Sequence, residues 1–158
     1  MDFRSNPQHT HLRRLAEVWL DAPVFFITVC TAGRLPILAN EQTSAVFGEV
    51  WRKAETLYGW KTGAYVVMPD HVHFFCSGDT VAKPLRVFIG KWKEWTAKNL
   101  KRQYGVSTPL WQPEFFDHVL RSDESYSQKW EYVRQNPVRA GLVSKPEEWP
   151  YWGMIHQL

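Results

Sequence analysis

His71, Val72 and His73 are the first residues whose types and spacing could do chemistry. Histidines two apart on a β-strand project to one face, with Val72 directed to the other. Two imidazoles side by side on a rigid strand are good donors for a divalent metal. Tyr132 and Asn136, four residues apart, would share one helix face. Asn136 offers an amide oxygen as a third ligand, and Tyr132 would then sit one turn from the same metal. A phenol with an ordinary pKa of about 10 is a weak nucleophile at neutral pH. A nearby cation favours the phenolate, and the metal could also polarise a phosphodiester oxygen. Each piece has a plainer structural reading too: two histidines without a ligand, a boundary tyrosine, and an asparagine closing a helix.

The elements that must position these residues follow from the apolar pattern. Residues 23–31 (PVFFITVCT) read as a strand bounded by Ala22-Pro23 and Gly33. From Glu41, apolar residues from Val46 to Tyr58 recur at helical spacing, and Gly59 stops the helix. Residues 64–68 and 72–76 read as strands joined by a turn at Pro69-Asp70. A second amphipathic helix is expected over about 84–104, with Leu85, Phe88, Ile89, Trp92 and Trp95 on its apolar side. A strand over 115–121 and a helix over about 123–135 complete the set, the last with Tyr126, Trp130 and Val133 as its core stripe. Asn136-Pro137 must lie near the end of that helix. The order predicts an α+β fold. It is a ferredoxin-like split βαβ with a mainly antiparallel sheet of four to five strands, plus a C-terminal helix bearing the tyrosine. The 158 residues suit one domain, 1–158.

Composition narrows the partners. Hydrophobic residues make up 44% of the chain, which argues against disorder. The formal charge of +3 permits a polyanionic partner without demanding one. Lys83 to Arg102 carries seven basic residues against one acid, Glu94, a bias able to track phosphates. Lys91, Lys93, Lys98, Lys101 and Arg102 on this helix, with Arg13, Arg14, Arg134 and Arg139, are the candidate DNA contacts. A lysine-rich helix face is also commonly just solvated. Nine tryptophans exceed the needs of one small core, and Trp111 and Trp149 could stack on bases or pack under loops. Cys30 and Cys76 lie in apolar runs, as buried thiols of a reducing compartment do. The charged amino terminus is unlike a signal peptide, and no stretch approaches a membrane span, so a cytoplasmic, soluble protein is expected.

The motifs together resemble a known family. Tyr65 to His73 (YVVMPDHVH) resembles the HUH signature of single-tyrosine transposases, and Tyr132 to Val143 (YVRQNPVRAGLV) resembles the tyrosine motif of REP-associated tyrosine transposases. Trp111 to His118 and Glu148 to Tyr151 are similar to segments of that subfamily, so the resemblance runs from about Arg13 to Trp152. It implies that His71, His73 and Asn136 bind Mg²⁺ or Mn²⁺. It also implies that Tyr132 attacks a phosphate of single-stranded hairpin DNA, leaving a 5′-phosphotyrosine link and a free 3′-OH. The short segment between Arg121 and Tyr132 favours a tyrosine helix docked on its own subunit, in a monomer or homodimer. His118 recurs in the resemblance without a role that the sequence assigns.

Three other readings stand beside this one. A palindrome-binding protein without cleavage would keep the fold and lose the chemistry. An RNA-binding module on the same sheet would need exposed aromatics where His71 and His73 stand. A metal hydrolase using water would cleave without a covalent adduct.

Overall fold

The computed structural model describes residues 23–121 and 123–158. β1 (Val24–Cys30), α1 (Glu41–Tyr58), β2 (Trp60–Val67), β3 (His71–Gly78), α2 (Leu85–Tyr104) and β4 (Phe116–Leu120) follow in the expected order. α3 (Asp123–Val133), the four-residue α4 (Asn136–Arg139) and β5 (Trp152–Met154) complete the chain. The sheet order is β4-β1-β3-β2-β5. Every neighbouring pair is antiparallel. The first four strands form the ferredoxin-like arrangement, and β5 extends it on the β2 edge.

Local chemistry sets the ends of α1. The Asn40 side chain accepts from the Thr43 amide at 2.8 Å, which satisfies one of the free amides of the first turn. Gly59 closes the helix in the left-handed region, at φ 74°.

The two faces of the sheet bury different things. α1 and α2 cover one face. There Val46, Phe47, Trp51, Phe88, Ile89 and Trp92 pack on Ile27, Val29, Val72, Phe74 and Cys76. α3 covers the other face, with Tyr126 and Trp130 against Phe75, and Val133 against Val66, Met68 and Trp149. The Tyr126 ring meets Phe75 edge-on at 4.7 Å, and its hydroxyl accepts from the Ala64 amide at 3.3 Å. This approach passes over an irregularity in β2 between Thr62 and Tyr65. A Cβ on Gly63 would stand 2.9 Å from the Tyr126 hydroxyl and 2.7 Å from Leu158. Only glycine lets the helix come this close.

One expectation needs correction, and one left open is decided. Trp95 is not part of the apolar stripe of α2. It is exposed, and Thr96 and Leu100 continue the buried row. Trp111 and Trp149 are buried packing residues, not stacking platforms. The Trp111 indole N–H donates to Thr96 Oγ1 and that of Trp149 to the Val67 carbonyl, both at 3.0 Å. Both cysteines are free and buried, as expected.

Candidate active site

β3 presents His71 and His73 on the face that α3 covers, as their spacing requires. Their rings lie 4.7 Å apart, centroid to centroid, at 75°. Each is held through Nδ1. His71 Nδ1 lies 2.7 Å from Asp70 Oδ1, and His73 Nδ1 lies 2.8 Å from Thr28 Oγ1 on the neighbouring β1. An ionised carboxylate can only accept, so His71 Nδ1 carries the proton of this hydrogen bond and Nε2 is the nitrogen left facing away from it. Thr28 can fix the same tautomer in His73 by accepting. Partners of this kind aim imidazoles at a metal.

Asp70 is itself anchored. Arg34 Nε donates to Asp70 Oδ2 at 2.9 Å, and Arg34 Nη1 reaches Cys30 Sγ at 2.9 Å. Arg34 follows Gly33 in the turn after β1, and both are left-handed, Arg34 at φ 54°. A non-glycine residue adopts that region only where its surroundings hold it, as the ion pair does here. Burial works against the Asp70 charge. The hydrogen bonds from His71 and Arg34 outweigh it and hold the carboxyl below its usual range. Burial, with the charges of His71, Lys129, Arg139 and Arg34, pushes the His73 imidazole down to about 3. His73 is therefore neutral at physiological pH, the state a metal ligand needs.

α3 brings Tyr132 to this face. The side chain is exposed, with Arg139 Cζ 4.0 Å from the ring centroid. Lys129, one turn earlier, has its ammonium 4.6 Å from the Phe26 ring and 5.6 Å from that of Tyr132. Phe26 in turn stacks on His73 at 5.1 Å and 23°. A continuous line of contacts thus joins the histidine pair to the tyrosine through Phe26 and Lys129.

Asn136 is placed differently from the expectation. α3 ends at Val133, and Asn136 opens the separate α4. Its Oδ1 accepts from Arg139 Nη2, and the same guanidinium donates to the Tyr132 carbonyl at 2.7 Å. The amide oxygen is therefore engaged by Arg139. Two histidines held through Nδ1 have the donor chemistry that suits a divalent ion, while Asn136 Oδ1 is bonded to Arg139. Among the described residues, no group of three or more His, Cys, Asp or Glu could hold a metal.

The other candidate DNA contacts divide. Arg13 and Arg14 lie outside the described residues. Lys91, Lys93, Lys98, Lys101 and Arg102 belong to α2, on the layer opposite the histidines. Lys93 is spent on the loop carbonyls of Gln112 and Pro113, at 2.6 and 3.0 Å. Lys91 and Lys98 both pair with Glu94. Arg134 bridges Glu131 and Glu147, while Arg139 stands in the site. Sequence reasoning assigned no role to Phe26, Thr28, Arg34, Asp70 or Lys129. Thr28, polar in an apolar strand, was the visible signal for one of them.

A model of the family described as "Transposase IS200 like" matches residues 24–136, from β1 through Asn136. The chain belongs to the IS200-like transposase family. A REP-associated tyrosine transposase of Escherichia coli (strain K12) is 30% identical to it over 95 residues. That stretch is 58% of this chain and 53% of the relative, so the match spans about half the relative's length. The solved structure of a REP-associated tyrosine transposase bound to a REP hairpin superposes with a TM-score of 0.68 at 22% identity. That superposition covers 84% of this IS200-like chain and 76% of the other, and the likeness is one of fold.

Proposed function

We propose that this IS200-like chain cleaves and rejoins single-stranded, hairpin-forming DNA through a 5′-phosphotyrosine intermediate. The observation that carries the proposal is the line of contacts from His73 through Phe26 and Lys129 to Tyr132 on one sheet face. The Tyr132 phenol oxygen bonds to the scissile phosphorus, the P–O3′ bond breaks, and the phenol proton ends on the departing 3′-oxygen. One phosphodiester replaces another, so a 3′-OH can reverse the step without an energy source. Mg²⁺ or Mn²⁺ held by His71, His73 and Asn136 would polarise the phosphoryl oxygens. Lys129 and Arg139, flanking the Tyr132 ring, attract the phosphate. His71 and His73 stay oriented by Asp70 and Thr28.

The tyrosine works in cis on this reading, because Tyr126, Trp130 and Val133 of α3 pack on the sheet of their own chain. No described helix is long and apolar enough to cross a membrane. A DNA substrate is in keeping with the cytoplasmic location expected from the sequence. The bond from Arg139 to Asn136 favours one second reading, a hairpin-binding protein that does not cut.

A denaturing gel tests the proposal. Labelled hairpin DNA is mixed with Mn²⁺ and protein, beside Tyr132→Phe and an EDTA control. Label migrating with the protein only when Tyr132 and metal are both present is the expected result. Cleavage without an adduct would transfer the chemistry to activated water. Binding without cleavage would establish the second reading.

A further inference from the structure

Cleavage requires more than a nucleophile and a metal, because the strand beside the scissile phosphate must also be held. α3 carries two stripes. Tyr126, Trp130 and Val133 face the sheet, while Ser125, Gln128, Lys129 and Tyr132 recur at i, i+3, i+4 and i+7 on the neighbouring face. This second stripe lines an open cleft, and His118 and Leu120 of β4 form the opposite wall.

β4 is the edge of the sheet, and its register fixes where its side chains lie. Phe116 is opposite Thr28, and Thr28 is opposite His73, so the three share one row across three strands. His118 is opposite Phe26, the ring that stacks on His73 and lies beneath the Lys129 ammonium. All leave the sheet on the histidine-bearing face. With strands about 4.8 Å apart, Phe116 stands roughly 10 Å from His73 along the row. That is the position of a neighbouring nucleotide, not of the scissile phosphate itself. Phe116 is 68% exposed, unlike the buried phenylalanines at 47, 74, 75 and 88. His118, two residues along on the same face, lines the cleft with Lys129, so the exposed ring neighbours a polar and basic cleft, which suits a nucleotide better than an apolar protein partner.

We propose that Phe116 and His118 form a nucleotide subsite that holds one unpaired base beside the scissile phosphate. The base stacks on Phe116, and the adjoining phosphate is drawn to Lys129. The inference rests on the DNA-cleavage reading above. A ring stack accepts any base, so Phe116 positions the strand, and His118 supplies the hydrogen bond that can favour particular bases.

Binding is measured in EDTA by fluorescence anisotropy, using labelled hairpin oligonucleotides with single-stranded flanks. An abasic residue is placed at each flank position in turn. Phe116→Ala should weaken binding of the intact oligonucleotide roughly tenfold, the size of one lost stack, and Phe116→Tyr should restore it. At one abasic position, wild type and Phe116→Ala should bind alike. Equal binding of the intact strand by both proteins would overturn the subsite, as would an equal loss at every abasic position. Sedimentation velocity without DNA checks the other use of an edge aromatic. A wild-type dimer that Phe116→Ala dissociates would make this face a contact between copies and overturn the proposal. Wild-type protein that binds no hairpin would overturn the DNA reading and the subsite with it. Tight wild-type binding untouched by Phe116→Ala would overturn the subsite alone.

Discussion

Val72, Phe74 and Cys76 point from β3 into a closed apolar layer, while His71, His73 and Phe75, interleaved with them, point into a partly open one. On the first face Trp51 and Trp92 stack at 5.5 Å and 14°, and Phe47, Phe74 and Trp111 close around Trp92. Among the described residues, the buried indole N–H groups of Trp51 and Trp92 have no hydrogen-bond partner. Each unmet donor costs about 1–3 kcal/mol, which the burial of large aromatic surfaces offsets. On the second face each imidazole that must be aimed is held at Nδ1 by a partner, His73 by Thr28 and His71 by Asp70. One strand therefore serves two purposes. The layer on its apolar side tolerates unmet polar groups because it contributes stability, and its polar side cannot, because direction is its purpose.

Substitutions on the two faces should separate these purposes. Tyr132→Phe should abolish the covalent adduct, since no other oxygen stands in for the phenol. It should leave the melting temperature nearly unchanged, because the ring is 61% exposed. Trp92→Ala should do the reverse. Removing a fully buried tryptophan costs about 3–5 kcal/mol, read by denaturant unfolding. The protein that remains folded should still form the adduct. A Trp92→Ala protein of wild-type stability would break the comparison, as would a Tyr132→Phe protein that unfolds.

Much of this arrangement was legible in the sequence because it is local. The i, i+2 spacing put His71 and His73 on one face, and Gly59 marked the end of α1. β5 was missed because Trp152–Met154 is too short to show alternation. Trp95 fits the helical period of α2 but falls at the border of its stripe, where exposure depends on how the neighbouring helix sits. The partners of the histidine pair were hidden for another reason. Thr28 is 45 residues from His73, and Arg34 is 36 from Asp70. Only the pairing of β1 with β3 and the left-handed turn after β1 bring them together. The spacing of Tyr132 and Asn136 suggested one shared helix face, but Pro137 lacks the amide that would continue α3, and Asn136 turns to Arg139 instead.

Acid should act on the polar face selectively. The His73 imidazole is held near 3 in the folded chain, against 6.5 for the ordinary group. Between these values the unfolded chain binds a proton that the folded chain refuses. The contribution from neutral His73 is thus present above about pH 6.5 and is lost as pH falls toward 3, by about 1.4 kcal/mol for each pH unit crossed. Urea unfolding of the metal-free protein across this range should show the loss, and His73→Gln should flatten it. An unchanged slope in His73→Gln would assign the acid sensitivity to other groups.

Smaller effects belong to the residues that orient the imidazoles, first Asp70, which touches the histidine and not the substrate. Asp70→Asn preserves shape and can still accept through its amide oxygen, so the fold should survive. It removes the charge that makes His71 Nδ1 an obligate donor and gives up the ion pair with Arg34. The imidazole can then flip or change tautomer, presenting a protonated nitrogen to the metal. Losing an orienting partner of this kind typically costs 10–100-fold in metal affinity. Mn²⁺ titration by calorimetry should show a loss of that order. NMR of the His71 ring nitrogens should show mixed tautomers where the wild type has one. Thr28→Val should weaken Mn²⁺ binding less, because packing of Phe26 on His73 fixes that ring independently of the hydroxyl. If Asp70→Asn binds Mn²⁺ like the wild type, the Arg34–Asp70 pair serves only the turn after β1, and His71 is held by the strand alone.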